Sequence, residues 1–329
     1  MPGVSTDGLP LPPFELATRV GSLQESDDPW GMYDSLGRAI QQDLLAALPA
    51  GFSLEGRRIL DFGCGAGRTL RHFVGGEYGG EFWGCDIDAA SIAWLEENLS
   101  PPLFPFLSGE LPPLPQPDEM FDVIYCVSVF THLSRSWSSW LLELHRVLKP
   151  DGILLATFMG EGQSLAIAGE RWDEGKVGML TLSPGQSWDR GGPMILHSPW
   201  WIREHWGRLF EVVSLTPHGF ASEPGTGHGM AVLRKKATSL TVAELEAPSS
   251  DPREAPALVH NVDRLIRELE DLRPAWEGAT AELATLRQRT SVPAAEHGDG
   301  QPAGVVAPAS PRRSLRRLLS RSGEPSGGD

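Results

Sequence analysis

The chain has 329 residues, 40% of them apolar, with 43 acidic against 28 basic side chains and a net charge of −15. That length accommodates one α/β domain plus further segments. No apolar run approaches the roughly 18 residues of a membrane span, and the acid excess argues against a general nucleic-acid binder, which needs clustered Lys and Arg. The start, Met1-Pro2-Gly3-Val4-Ser5-Thr6-Asp7, lacks the basic and apolar regions of a secretion signal. Cys64, Cys85 and Cys126 fall on or beside expected core strands without metal-ligand spacing. They read as small buried hydrophobes in a reducing compartment, with no metal site and a cytoplasmic location.

In chain order, residues 1–50 form an N-terminal helical segment, in which Trp30-Gly31-Met32-Tyr33 leads into a helix ending near Leu48-Pro49. Arg58-Ile59-Leu60-Asp61-Phe62-Gly63-Cys64-Gly65-Ala66-Gly67-Arg68 then reads as a buried strand breaking into a glycine turn and a helix. Glycines there remove side chains where a ligand would lie against backbone amides at a helix N-terminus, although a glycine triplet alone serves turn geometry equally well. Glu81-Phe82-Trp83-Gly84-Cys85-Asp86-Ile87-Asp88 is a second strand ending in a carboxylate, 19 positions after Gly67. Asp86 there is placed to accept both hydroxyls of a ribose, while Asp88 suits the N-cap of the helix carrying Ile92, Leu95 and Leu99.

Phe104-Pro105-Phe106-Leu107 is a third strand, followed by Ser108-Gly109-Glu110-Leu111-Pro112. Phe121 through Phe130 reads as a fully buried central strand running out to Thr131-His132-Leu133, with a helix from about Ser134 to Leu148. Lys149-Pro150-Asp151-Gly152 turns into the strand Ile153–Phe158. Ser198 and Pro199 open a helix through Trp206-Gly207, and Phe210–Leu215 and Met230–Arg234 complete the sheet.

The order of these motifs resembles the class I S-adenosylmethionine-dependent methyltransferases over roughly residues 55–236. The glycine pattern is G-x-G-x-G behind an acid, Asp61, unlike the G-x-G-x-x-G of dinucleotide oxidoreductases. A negative charge at Asp61 opposes a pyrophosphate but suits a sulfonium and an ammonium. The resemblance implies a Rossmann-like α/β fold, a seven-stranded sheet, parallel apart from its last strand, with helices on both faces. It implies S-adenosyl-L-methionine as cofactor, with Asp61, Gly63, Gly65 and Gly67 at the methionine end, Asp86 on the ribose, Ile87 on one adenine face, Ser108, Gly109 and Glu110 at its edge, and Cys64 and Val127 also among the cofactor-binding residues. The Trp206-Gly207-x-x-Phe210 spacing is similar to bacterial methyltransferases found alongside glycosyltransferases. That similarity points to a sugar or glycan hydroxyl as methyl acceptor; an amino group, a small natural product, or a non-catalytic scaffold are the alternatives. Family members fold an N-terminal segment over the cofactor, so Tyr33 serves either the methionine end or packing.

Residues 160–199 form an insertion carrying Glu161, Glu170, Arg171, Trp172, Asp173, Asp189 and Arg190. Within 172–206 stand Trp172, Trp188, Trp200, Trp201 and Trp206. Lying beyond the carboxyl ends of the strands, the insertion is either a substrate wall with indoles for stacking on a sugar or a loop packed over the sheet edge. His132 is the first candidate for a general base, against the reading of a histidine that satisfies loop backbone. His197 and His218 follow, and His145 reads as helix surface.

Residues 51–236 thus form the catalytic domain and 237–257 a linker rich in proline, serine and charge. In 258–289, Val262, Leu265, Leu269, Leu272, Trp276, Ala279, Leu283 and Leu286 repeat at spacings of 3 and 4, which predicts a coiled coil and a homodimer. Pro274 is expected to kink that helix or divide it in two. Residues 290–329 read as a disordered tail, in which Arg312, Arg313, Arg316, Arg317 and Arg321 with Leu315, Leu318 and Leu319 form a basic amphipathic stretch, solvated or touching an anionic membrane.

Overall fold

A computed structural model describes residues 4, 5, 7–20, 23, 26–188 and 191–290. The chain divides into two compact units, Met1–Asp271 and Leu272–Asp329. The basic stretch after residue 310, the expected disordered tail, Asp189 and Arg190 lie outside the described residues.

The first unit is built on a seven-stranded sheet, among the described residues, made of β1 (Arg58–Phe62), β2 (Glu81–Asp86), β3 (Phe104–Leu107), β4 (Phe121–Cys126), β5 (Leu148–Phe158), β8 (Phe210–Phe220) and β9 (His228–Lys235). Its spatial order is β3-β2-β1-β4-β5-β9-β8, with β9 antiparallel to both neighbours and the other neighbouring pairs parallel. This is the Rossmann-like sheet expected from the motif order. A separate hairpin, β6 (Met179–Leu182) with β7 (Met194–His197), belongs to the insertion.

Period-two alternation splits the strand side chains between two cores. Leu60, Phe62, Ile124, Cys126, Leu154, Ala156 and Phe158 pack on one face against Trp140, Leu141 and Leu144 of α4 (Trp137–Val147) and Ile202 of α6 (Pro199–His205). Ile59, Val123, Tyr125, Ile153 and Leu155 pack on the other against Ile40 and Leu44 of α2 (Pro29–Ala47) and Ile92 and Leu95 of α3 (Ala89–Asn98). Each such aliphatic or aromatic side chain contributes roughly 1.5–3 kcal/mol by leaving water. A run apolar on both faces is what a central parallel strand requires. Two of the expected caps are in place: Asp88 accepts from the Ala90 and Ser91 amides, and Ser198 from that of Trp201 ahead of Pro199.

Three expectations are corrected, and at Pro274 one of two expected outcomes drops out. No α-helix follows the glycine turn; the chain makes turns and a short 3-10 segment, Leu70–Phe73. Gly75-Gly76 disfavour a longer helix, and the Gln41 amide of α2 already donates to the His72 carbonyl at 2.6 Å. The central strand stops at Cys126 instead of running to Phe130, because Ser128 takes a left-handed φ of 61° that turns the chain out of the sheet. Residues 237–257 are not a bare linker. They contain α7 (Val242–Glu246), closed by a capping box between Thr241 and Glu244, with Leu245 fully buried. Finally, Pro274 lies within one helix, α8 (Glu254–Thr290), and does not divide it. Pro274 is exposed, so water can take the hydrogen bond its ring denies the preceding turn.

The N-terminal half of α8 is tied to the insertion. The Asn261 amide donates to Met179 O at 2.8 Å, and Arg264 reaches Glu170 at 2.7 Å and Ala168 O at 3.0 Å. Glu254, buried, meets His205 Nε2 at 3.1 Å.

Candidate active site

The sheet order sets the carboxyl ends of β3, β2, β1 and β4 side by side, which gathers Ser108, Asp86, Asp61 and Val127 at one edge. The glycine turn is held by its own protein. The Gly63 and Cys64 amides both donate to Cys85 O, at 2.8 and 3.0 Å, and the Gly67 amide donates to Cys64 O at 2.9 Å. The Gly65 amide donates to Asp86 Oδ2 at 2.7 Å. Four amides expected to face a ligand are therefore spent internally, and the turn offers shape and carboxylates more than free N–H groups. Gly63 has φ of 82°, and a Cβ there would sit 2.4 Å from Val129 Cγ2. Only glycine satisfies both demands.

Asp86 receives the Asp88 amide on its other oxygen at 2.9 Å. Burial raises its pKa, opposed by those two amides. Each carboxylate oxygen keeps a second acceptor position, so the expected ribose contact stays open. Asp61 is 4% exposed, and burial pushes its pKa up to about 8, with the Tyr125 hydroxyl and Arg68 opposing and Asp86 adding to the rise. That direction favours the protonated carboxyl in the unliganded fold, against the standing negative charge expected from the sequence. Tyr33, fully buried, donates its hydroxyl to Ala66 O at 3.2 Å, which makes it a packing strut beneath the turn.

The remaining expected cofactor residues are spread more loosely. The Ser108 amide donates to Asp86 O at 2.9 Å, locking that loop to β2. Ile87 and Val127 are half-buried, and Gly109 and Glu110 are exposed; the Glu110 carbonyl accepts from Trp140 Nε1 at 3.2 Å. Cys64 is buried beside the turn, its thiol raised by burial.

Of the histidines, His132 stands at the carboxyl end of β4. Its Nδ1 lies 2.8 Å from Pro193 O. A carbonyl can only accept, so Nδ1 carries the proton and the neutral ring keeps its lone pair on Nε2. Burial lowers its pKa, with the Pro193 carbonyl opposing. The Thr131 carbonyl accepts from the Ile195 amide at 2.9 Å, so β7 of the insertion aims this loop. His228, at the start of β9, was not singled out by spacing or charge. Its pKa is pushed down to about 4 by burial, with His132 and Arg68 adding. Ser128, also unanticipated, pins the loop from its amide to Thr157 Oγ1 at 2.7 Å, and its positive φ was the sequence-invisible feature there.

The other histidines are elsewhere. His218 Nδ1 accepts from Gly225 N at 3.0 Å within its own turn, and His145, half-buried, meets Lys236 O at 2.9 Å. His197 is fully buried, and among the described residues neither ring nitrogen has a hydrogen-bond partner. Burial pushes its pKa down to about 3. Unfolded histidine titrates near 6.5, so as pH falls below that value the unfolded chain gains a proton the fold refuses, and stability drops until about pH 3. A His197→Leu variant is expected to be more stable at pH 7 by about 1–3 kcal/mol, the cost of an unsatisfied buried polar group. In urea melts at pH 7 and 5 the advantage should widen at pH 5; an equal or smaller advantage there would contradict it.

The tryptophan wall is corrected in part. Trp200, Trp201 and Trp206 are 4%, 6% and 0% exposed and belong to the main core, whereas Trp188 is 46% exposed. Trp172 packs in a small core with Met159, Leu180 and Leu196. A cavity of about 650 Å³ between the insertion and α8 is lined by Arg171, Trp172, Lys176, His260 and Arg267 among others, and includes none of the strand-end residues. Asp7, Asp34 and His72 have metal-capable atoms within 4.8 Å of one another. Arg38 pairs with Asp7 at 2.6 Å and Arg71 Nε lies 3.9 Å from Asp34, so two guanidinium groups already balance that cluster.

Residues 60–156 match the family model described as a methyltransferase domain. Over that stretch the chain is similar to methyltransferase domains, for which S-adenosyl-L-methionine is the supported cofactor. The chain is 31% identical over 113 residues to phthiotriol/phenolphthiotriol dimycocerosates methyltransferase 1 of Mycobacterium ulcerans, covering 34% of this chain and 41% of that protein. It is 30% identical over 137 residues to a fatty-acid O-methyltransferase of Mycolicibacterium smegmatis, covering 40% and 49%. The chain thus spans less than half the length of these relatives. Among solved structures it is similar to 1,6-didemethyltoxoflavin-N1-methyltransferase of Burkholderia thailandensis at a TM-score of 0.44 and 18% identity, covering 67% of this chain and 88% of that one. No described helix is long and apolar enough to cross a membrane.

The donor set fits the cofactor. Burial raises both carboxyls, Asp61 and Asp86, and Asp86 adds to the rise at Asp61; a sulfonium or ammonium nearby would favour their ionised forms.

Proposed function

We propose that this chain transfers a methyl group from S-adenosylmethionine to the oxygen of a hydroxyl acceptor, a sugar or glycan intermediate. The observation that carries the reading is the His132 tautomer, with Nδ1–H given to Pro193 O and a neutral Nε2 lone pair at the end of β4. The bound cofactor supplies an electrophilic methyl group on a positively charged sulfur. Asp61 and the glycine turn hold its methionine end, Asp86 its ribose, and Ser108 the loop beside its adenine. A hydroxyl is a poor nucleophile until its proton is removed, and His132 Nε2 takes that proton while Pro193 fixes the ring. The rest of the rate comes from positioning. The relative from Mycolicibacterium smegmatis is an O-methyltransferase by name, which supports oxygen as the accepting atom. The three free, buried cysteines support a reducing compartment, and so the cytoplasm, as the place of the reaction.

A His132→Gln variant is expected to keep its cofactor affinity and lose kcat by about 10²–10³-fold, the usual worth of a general base. The wild-type rate should fall on the acid side with a midpoint below 6.5, as the lowered imidazole pKa requires, and the variant should lose that limb. Cell-extract glycans incubated with methyl-labelled cofactor should carry the label. A rate within threefold of wild type removes His132 from the chemistry, and label confined to a lipid or amine fraction removes the sugar hydroxyl.

A further inference from the structure

Helix α8 presents an apolar seam whose Leu269, Leu272, Trp276 and Leu283 are exposed among the described residues. Leu269 is 66% exposed, Leu272 58%, Trp276 68% and Leu283 52%, on a helix docked further back through Glu254 and Asn261 at g and Ala257 and Arg264 at c, beside the seam and ahead of its exposed part. Contiguous apolar surface of this kind marks a protein–protein contact. Taken as heptads, Val262, Leu269, Trp276 and Leu283 occupy a, and Leu265, Leu272, Ala279 and Leu286 occupy d. Trp276 is followed in the seam by Ala279, whose methyl leaves the room that a second indole needs. Exposed Pro274 falls at f, the position furthest from the seam.

The flanking charges select the occupant. Glu268 and Glu282 stand at g, and Arg273 and Arg287 at e. In a parallel pair, g of one helix faces e five residues on in the other, so Glu268 meets Arg273 and Glu282 meets Arg287 of the second copy, on both sides of the seam. An antiparallel pair sets g against g and e against e, Glu against Glu and Arg against Arg.

From this complementarity we infer that α8 forms a parallel two-stranded coiled coil with a second copy of this chain. The parallel arrangement brings together the amino ends of two α8 helices, and with them the Asn261 and Arg264 anchors that hold each insertion.

The test uses the full chain in sedimentation equilibrium. The wild type is expected at twice its chain mass. Glu268→Arg with Glu282→Arg, and separately Arg273→Glu with Arg287→Glu, should each run as a monomer at the same concentration, and an equimolar mixture of the two variants should recover the doubled mass. These are surface changes on a helix, so circular dichroism should be unchanged. A Leu283→Cys variant should cross-link to itself under mild oxidation, because a faces a only in the parallel pair; the native cysteines are buried. A monomeric wild type, a dimer that survives both charge reversals, or a dimer that does not cross-link overturns the proposal.

Discussion

Replacing Gly37 with alanine is expected to cost about 3 kcal/mol, at the upper end of overpacking penalties, and to lower Tm by roughly 10 °C in a unit of this size. Gly37 lies inside α2, where alanine would normally be the better helix former. Here its Cβ would sit 2.1 Å from the Arg68 carbonyl oxygen and 2.8 Å from His72 Nε2. The first of these is backbone, so no side-chain rotation removes the clash; α2 must lift from the glycine turn. That movement also withdraws Tyr33, whose hydroxyl braces Ala66, and Gln41, whose amide braces His72. Weaker cofactor binding should therefore accompany the loss of stability. Gly67→Ala is the control. Its Cβ would meet the Leu95 Cδ2 methyl at 2.7 Å, the end of a flexible side chain that can give way, although its positive φ still penalises alanine. Scanning calorimetry and cofactor titration on both variants check the ranking, and a Gly37→Ala melt within 2 °C of wild type (roughly 0.5 kcal/mol) would show that α2 does not rest on that carbonyl.

This contact explains what was legible in the sequence and what was not. Strand identity and order could be read because Leu60, Phe62, Ile124 and Leu154 alternate with Ile59, Val123 and Ile153 into two cores, and the Lys-Pro-Asp-Gly turn marks entry to the sheet's fifth strand. Asp86 was legible because a carboxylate closing the second strand has a fixed place in a βαβ unit. The missing helix after the glycine turn was legible only in Gly75-Gly76, since the rest of its cause is Gln41 and Gly37 arriving from a segment about 30 residues earlier. Which of the two readings of the tryptophan cluster holds was hidden for a related reason. An indole's spacing does not reveal whether it faces solvent, and Trp200, Trp201 and Trp206 are claimed by the core over α4. His228 carries no local pattern at all; it enters the site because β9 runs back between β5 and β8. His132 could be proposed from its place past the central strand, but its tautomer required the Pro193 carbonyl, which the insertion supplies from 61 residues away.

The same distinction between residue type and environment governs Asp61. In isolation a carboxyl titrates near 4, whereas burial pushes this one up to about 8 in the fold without ligand. The folded-state value lies above the unfolded one, so the unliganded fold favours the protonated form. Its contribution to stability is complete below about pH 4 and declines as pH rises towards 8, by about 1.4 kcal/mol per unit. A cation bound nearby favours the ionised form instead, so cofactor binding must release a proton at any pH below about 8. Affinity for S-adenosylmethionine is then expected to strengthen about tenfold per pH unit from pH 6 to 8 and to level off above. Calorimetric titration in two buffers of different ionisation heat should register close to one proton released at pH 6.5. Asp61→Asn keeps the shape but cannot ionise. Its cofactor affinity should be about 10–100-fold weaker than wild type at pH 8, the scale of one lost charge-assisted contact, and flat with pH, while the unliganded variant loses the decline in stability between pH 4 and 8. The uncharged adenine and ribose contacts are common to both proteins, so only the methionine-end charge separates the two profiles. An affinity that is flat from pH 6 to 8 in the wild type, with no proton released, would mean that Asp61 is a core carboxyl that never meets the cofactor's charge.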